Sequence, residues 1–139
     1  MTRFTVLAIA LLSLGLSLVA RAELTIEITQ GVDDPTPIAV VPFAWQGSGP
    51  APADISAVID GDLNRSGQFA PVGRADMLGL PSTEAEIFYR DWRAINTEYL
   101  VIGRVSQAGQ MRIEYELFDV LRQARVHSGV VTGPPSEAR

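Results

Sequence analysis

Four consecutive apolar residues, Ile38-Ala39-Val40-Val41, stand between Pro37 and Pro42 with no polar residue at alternate positions. A strand with one wet face alternates polar and apolar side chains, because successive side chains point to opposite faces. The unbroken run therefore predicts a strand covered on both faces, the centre of a layered fold. Pro42 has no amide hydrogen to give to a ladder, so pairing must weaken there, and Pro37 similarly marks where it starts. The rest of the chain is read as packing on this strand.

Upstream, Glu23-Leu24-Thr25-Ile26-Glu27-Ile28-Thr29 alternates, with Leu24, Ile26 and Ile28 on one face. That is the pattern of a half-buried strand with one solvated side. Gly31 and the Asp33-Asp34-Pro35-Thr36-Pro37 segment break it and separate it from the central run. Before it lies a secretory signal pattern. Arg3 gives a positive start, Phe4 to Val19 is almost wholly apolar, and Ala20-Arg21-Ala22 offers small residues to a signal peptidase. An uncleaved membrane anchor is the rival, but the run has only about the minimum spanning length. Residues 1–22 are thus expected to be removed, and residues 23–139 to form one domain.

Downstream, Gln46-Gly47-Ser48-Gly49-Pro50 is a loop and Asp54 a candidate N-cap. Ile55, Val58, Ile59 and Leu63 follow at helical spacing, with Gly67 as the left-handed residue closing the helix. Gly61, inside it, is expected where helix and sheet approach closely. Phe69-Ala70-Pro71-Val72 reads as a short extended piece, and residues 74–81 as a loop. Thr83 with Glu86 has the spacing of a capping box. A second helix is expected between Thr83 and Ile95, around Asp91 to Ile95, with Asn96 closing it.

Tyr99 to Val105, Met111 to Phe118 and Arg125 to Thr132 form a meander turned at Ala108-Gly109 and at Leu121 to Ala124. In its second strand Met111, Ile113, Tyr115 and Leu117 face one way and Arg112, Glu114 and Glu116 the other. The fold class is therefore α+β: a mixed sheet with two helices packed on it, ending in an antiparallel three-stranded meander.

Composition narrows the chemistry. There is no cysteine and one histidine, His127, so thiolate metal sites, cysteine nucleophiles and multi-histidine metal centres within one chain are excluded. The formal charge is −5; losing Arg3 and Arg21 with the leader takes it to −7. An acidic domain without a basic cluster is a poor match for nucleic acid.

Ser128 or Ser56 with His127 and Asp119 makes a poor acyl-transfer triad: His127 and Ser128 are neighbours on a strand and point to opposite faces, and no Gly-x-Ser-x-Gly nucleophile turn exists. Asp60 and Asp62, two apart on a helix, do not face each other. Asp33-Asp34 lacks the further oxygen ligands of a calcium loop. Gly47-Ser48-Gly49 lacks the lysine of a phosphate loop. Trp45 and Trp92 are assigned to the core, and Arg104 to a cross-strand pair with Glu114 or Glu116. No catalytic, metal or cofactor residue is expected.

Four phrases in order, Pro37 to Phe43, Asp54 to Phe69, Asp91-Trp92-Arg93 with Tyr99 to Val105, and Val131-Thr132-Gly133-Pro134-Pro135, resemble the amino-terminal domain of the TolB family. That family is the periplasmic component of the Tol-Pal system. The resemblance implies a non-enzymatic periplasmic adaptor domain with a role in outer-membrane integrity and constriction at division. It also implies that the amino-terminal segment engages the TolA periplasmic domain. Family members continue past the Pro-Pro-Ser segment into a helix and a six-bladed β-propeller that binds Pal. This chain ends at Arg139, so it is expected to be a fragment or truncated copy rather than a short form, and Pal binding is not carried over.

The partner-binding residues are accordingly Glu23, Leu24, Thr25, Ile26, Glu27, Ile28, Gly31, Val32 and Asp33. A terminal strand can sit at the edge of its own sheet or leave and add to another protein's, and the two states are compatible at different times. The rival reading is a periplasmic enzyme or small-ligand-binding domain.

Overall fold

The computed structural model describes residues 34–137. The leader and the segment carrying Glu23 to Ile28, Gly31, Val32 and Asp33 lie outside the described residues. Six strands run β1 (Thr36–Val40), β2 (Ala44–Trp45), β3 (Phe69–Pro71), β4 (Tyr99–Ala108), β5 (Gln110–Asp119) and β6 (Ala124–Gly133). Helix α1 (Ile55–Ser66) lies between β2 and β3, and α2 (Tyr89–Ala94) precedes β4. They make one mixed sheet in the order β3-β1-β4-β5-β6, with β2 also pairing to β4. Both neighbours of β1 are parallel to it, and β4, β5 and β6 are antiparallel. This is the α+β architecture expected.

The central strand is buried as its composition demands: Ile38 to Val41 are each 3% exposed or less. Ala39 and Val41 join Trp92, Leu100, Ile102, Phe118 and Val120 on one side. Ile38 and Val40 join Val101, Ile59, Leu63 and Phe69 on the other. Alternate residues of one run thus feed two cores, and α2 and α1 cover opposite faces. Proline interrupts the ladder as expected. The Val41 amide still donates to the Val101 carbonyl at 3.0 Å, then pairing lapses until Ala44 sits beside Arg104.

Helix α1 keeps its expected ends. The Asp54 carboxylate accepts from the Ala57 amide at 3.0 Å, and Gly67 turns left-handed with φ 69°. Its predicted apolar face is corrected in two places. Val58 is 38% exposed, whereas Ser56 is 1% exposed. Gly61 does not meet the sheet: a Cβ there would have only the Arg65 guanidinium, 4.0 Å away. Ser56 is held by Arg74, reaching back from the turn after β3. Its guanidinium donates to both Asp54 oxygens at 2.8 and 2.9 Å and to the Ser56 hydroxyl at 2.8 Å. The first turn of α1 is therefore covered by an ion pair rather than by hydrocarbon.

Arg74, aided by Ser56 and the Ala57 amide, holds the Asp54 carboxyl well below the usual carboxylate range. A depressed pKa stabilises the fold fully above the group's ordinary value, 3.8, and the benefit is lost as pH falls below it. Asp54→Ala removes a cap worth about 0.5–2 kcal/mol and an exposed ion pair worth about 0–1 kcal/mol. Urea unfolding should show a loss of about 1–2 kcal/mol, constant from neutral pH to about pH 5 and shrinking in stronger acid. A difference that grew on acidification would refute the clamp.

Around α2 the sequence reading holds with one change of form. The Glu86 carboxylate closes on the amides of Ser82 and Thr83 at 2.6 and 3.1 Å, but the turn it caps, Glu84–Glu86, is 3-10. Ile87 returns to extended backbone before α2 begins. Asn96, with φ 58°, ends the helix as expected.

Candidate functional site

A trough of about 550 Å³ lies on the α1 face. Ile59 and Leu63 of α1 form one wall, Ile38 and Phe69 belong to the floor beneath the helix, and Tyr99, Val101 and Leu117 continue it across the sheet. Ile38, Tyr99, Val101 and Leu117 point here because they share one parity in the β1–β4–β5 register. At the β6 end Tyr115 and His127 lie with ring centroids 5.8 Å apart, hydroxyl and Nε2 at 3.3 Å. Tyr115 lies across Gly129, where a Cβ would come within 2.5 Å of its hydroxyl. The trough is almost entirely hydrocarbon. It can bury apolar surface, and its polar contribution is Thr36 and the hydroxyl–imidazole pair.

The residues weighed for catalysis do not converge. His127 stands opposite Leu117, while Asp119 stands opposite Ala124. The Asp119 carboxylate accepts from the Arg122 amide at 2.8 Å and so shapes the β5–β6 turn. Ser56 is committed to Asp54 and Arg74. Asp62 pairs with Arg65 on the exposed side of α1. Among the described residues no group of three or more histidine, aspartate or glutamate side chains could hold a metal ion. No helix of the described residues is long and apolar enough to cross a membrane.

Trp92 is core, 3% exposed, as assigned. Trp45 is not: it is half-buried, folds over Gly47 and donates its indole N–H to the Gly49 carbonyl at 2.9 Å. Its strand is two residues long, and it packs on its own loop instead. On the face opposite the trough Arg104 pairs with Glu114 at 3.0 Å, as the register predicts, and Arg112 joins at 2.9 Å. The two guanidiniums, Arg104 first, hold the Glu114 carboxyl below its usual range.

Sequence reading missed the trough, the Arg74 clamp and the exposed side chains of Leu78, Leu80 and Phe88. The first two join residues far apart in sequence. The third had a local signal, the apolar Met77-Leu78-Gly79-Leu80-Pro81 run inside a loop. The nine positions expected to bind a partner, Glu23 to Ile28 with Gly31, Val32 and Asp33, lie outside the described residues.

Comparison with known proteins is consistent across sequence and structure. A family model described as the TolB amino-terminal domain matches residues 24–126. The Tol-Pal system protein TolB of Marinomonas sp. (strain MWYL1) is 49% identical over 115 residues, 80% of this chain and 27% of that protein. The protein of the same name from Pseudomonas aeruginosa is 39% identical over 137 residues, 97% of this chain and 32% of that protein. The chain therefore spans less than a third of the length of these curated relatives. The crystal structure of TolB from Acinetobacter baumannii superposes with a TM-score of 0.62 at 28% identity, over 77% of this chain and 25% of that one. The LpoB C-terminal domain from Salmonella enterica, TM-score 0.60 at 17% identity over 76% of this chain and 87% of that one, shares the fold.

Proposed function

Since this chain belongs to the TolB amino-terminal domain family, we propose that it is a non-enzymatic adaptor domain of the Tol-Pal system, working in the periplasm after loss of residues 1–22. In this reading Glu23 to Ile28, with Gly31, Val32 and Asp33, form the contact with the TolA periplasmic domain. The contribution to the cell is outer-membrane integrity and constriction at division. The observation that carries the reading is the family match over residues 24–126, to relatives named for the Tol-Pal system. A physical argument supports the choice of segment. A short alternating strand offers main-chain donors and acceptors to a partner's sheet edge, and Leu24, Ile26 and Ile28 supply the side chains for alternate pockets.

The test is deletion of Glu23 to Gln30 in a full-length TolB carrying this domain, with titration calorimetry against the TolA periplasmic domain. The central strand, both helices and the meander are untouched. Ordering the segment costs backbone entropy of about 1–2 kcal/mol per residue, which offsets whatever an edge position gains by burial. Binding is expected to vanish while the far-ultraviolet circular dichroism stays native. Undiminished affinity would remove the segment from the interface, and collapse of the fold would make it core.

A further inference from the structure

Three large apolar side chains in the loop region ahead of α2 face water: Leu78 is 61% exposed, Leu80 66% and Phe88 72%. They are not scattered. All three line one pocket of about 230 Å³ that also reaches the buried Trp92. Single exposed hydrophobes are ordinary, but a contiguous group around a concavity marks an interaction site. The pocket is smaller than the roughly 300–1,000 Å³ of small-molecule sites, which suits one inserted side chain.

Its charged lining is of one sign: Glu86 and Asp91, with no basic residue. One Glu86 oxygen receives the Ser82 and Thr83 amides and the Ser82 hydroxyl, an arrangement that keeps the carboxylate ionised. Asp91 has as its ion-pair partner Arg90, at 3.6 Å and with 90% of that side chain exposed, a loose contact that a second cation can displace. The pocket thus offers apolar walls and two carboxylates at one site.

We propose that this pocket docks a segment of another protein that inserts one large apolar side chain against Trp92 and carries an arginine or lysine beside it. The cation faces Asp91 and Glu86, and the ring or aliphatic side chain displaces water from Leu78, Leu80 and Phe88. The proposal does not rest on the Tol-Pal reading.

The test uses the isotope-labelled chain and two probes, N-acetyl-Phe-Arg-amide and N-acetyl-Phe-Glu-amide, followed by amide and indole chemical shifts. The arginine probe should shift the Trp92 indole and the amides of residues 78–80 and 86–92, saturating in the millimolar range expected of so small a contact. The Trp45 indole, held by Gly49, serves as the unshifted reference. The glutamate probe should bind about two- to fivefold more weakly, the discrimination an exposed ion pair supplies. Asp91→Asn should remove that difference. Leu80→Ser, at an exposed site, should leave the fold intact and weaken both probes. Equal binding of the two probes, shifts confined to the trough, or no shift at all would overturn the proposal. So would self-association of the unliganded chain through these residues, which would make the occupant a second copy.

Discussion

Phe118→Ala is expected to lower the stability of the domain by about 3–5 kcal/mol, the cost of emptying a large buried aromatic site. Phe118 is fully buried on β5, opposite Leu100, and packs in the cluster with Ala39, Val41, Ile102, Trp92 and Val120. Residues from β1, β4, β5 and α2 meet there, so collapse around the vacancy would have to move three strands and a helix together. Domains are stable by about 5–15 kcal/mol, so the variant should unfold at a much lower urea midpoint, with the slope unchanged. Leu121→Ser, three residues on and 65% exposed, is the control and should stay within about 0.5 kcal/mol of the parent. A midpoint for Phe118→Ala as close to the parent as the control's would mean that the cluster is not the core.

The second large effect is expected from adding one carbon. Gly103 lies inside β4, where the Phe43 ring and the Glu114 carbonyl oxygen close over it; a Cβ would come within 2.5 Å of the ring and 2.7 Å of the oxygen. A strand glycine at such a close approach is required by packing rather than by a positive φ. Gly103→Ala should cost about 1–3 kcal/mol by overpacking. Trimming the ring with Phe43→Leu relieves one of the two collisions and leaves the backbone oxygen in place. The alanine should therefore cost less in the Phe43→Leu background, with a coupling of at least about 0.5 kcal/mol. Strict additivity of the two changes would refute the assigned contact.

These predictions rest on side-chain pairings that differ in how visible they were beforehand. The central strand was legible because four apolar residues in a row admit few other readings at that length. The ends of α1 were legible because Asp54 and Gly67 act on backbone groups within three residues of themselves. The Arg104–Glu114 pair was legible as opposite charges on neighbouring strands of one hairpin, but its register was decided by a turn that closes over Gly109 alone, between Ala108 and Gln110, rather than over Ala108-Gly109. By contrast, the apolar face of α1 was misread at Val58 and Ser56. Helical periodicity gives a stripe, but what covers each part of that stripe is set by Arg74, eighteen residues beyond Ser56. Trp45 was misread for a related reason: an aromatic at a strand end can turn inward or fold on its own loop, and its indole found Gly49.

By itself the sequence determined the central strand, the ends of α1, the three-stranded meander, the exclusion of cysteine chemistry, and the family to which the chain belongs. All of these are written in residues a few places apart or in phrases kept in order. Only the tertiary structure decided the order β3-β1-β4-β5-β6, the placement of α1 and α2 on opposite faces, the trough between α1 and β6, and the acidic pocket around Leu78, Leu80 and Phe88. The physical reason is range. Parallel pairing joins Ile38 to Tyr99 and Thr36 to Phe69 through long connections. Such pairings are selected by which apolar faces can be buried together, and that leaves no mark on the neighbours of either residue.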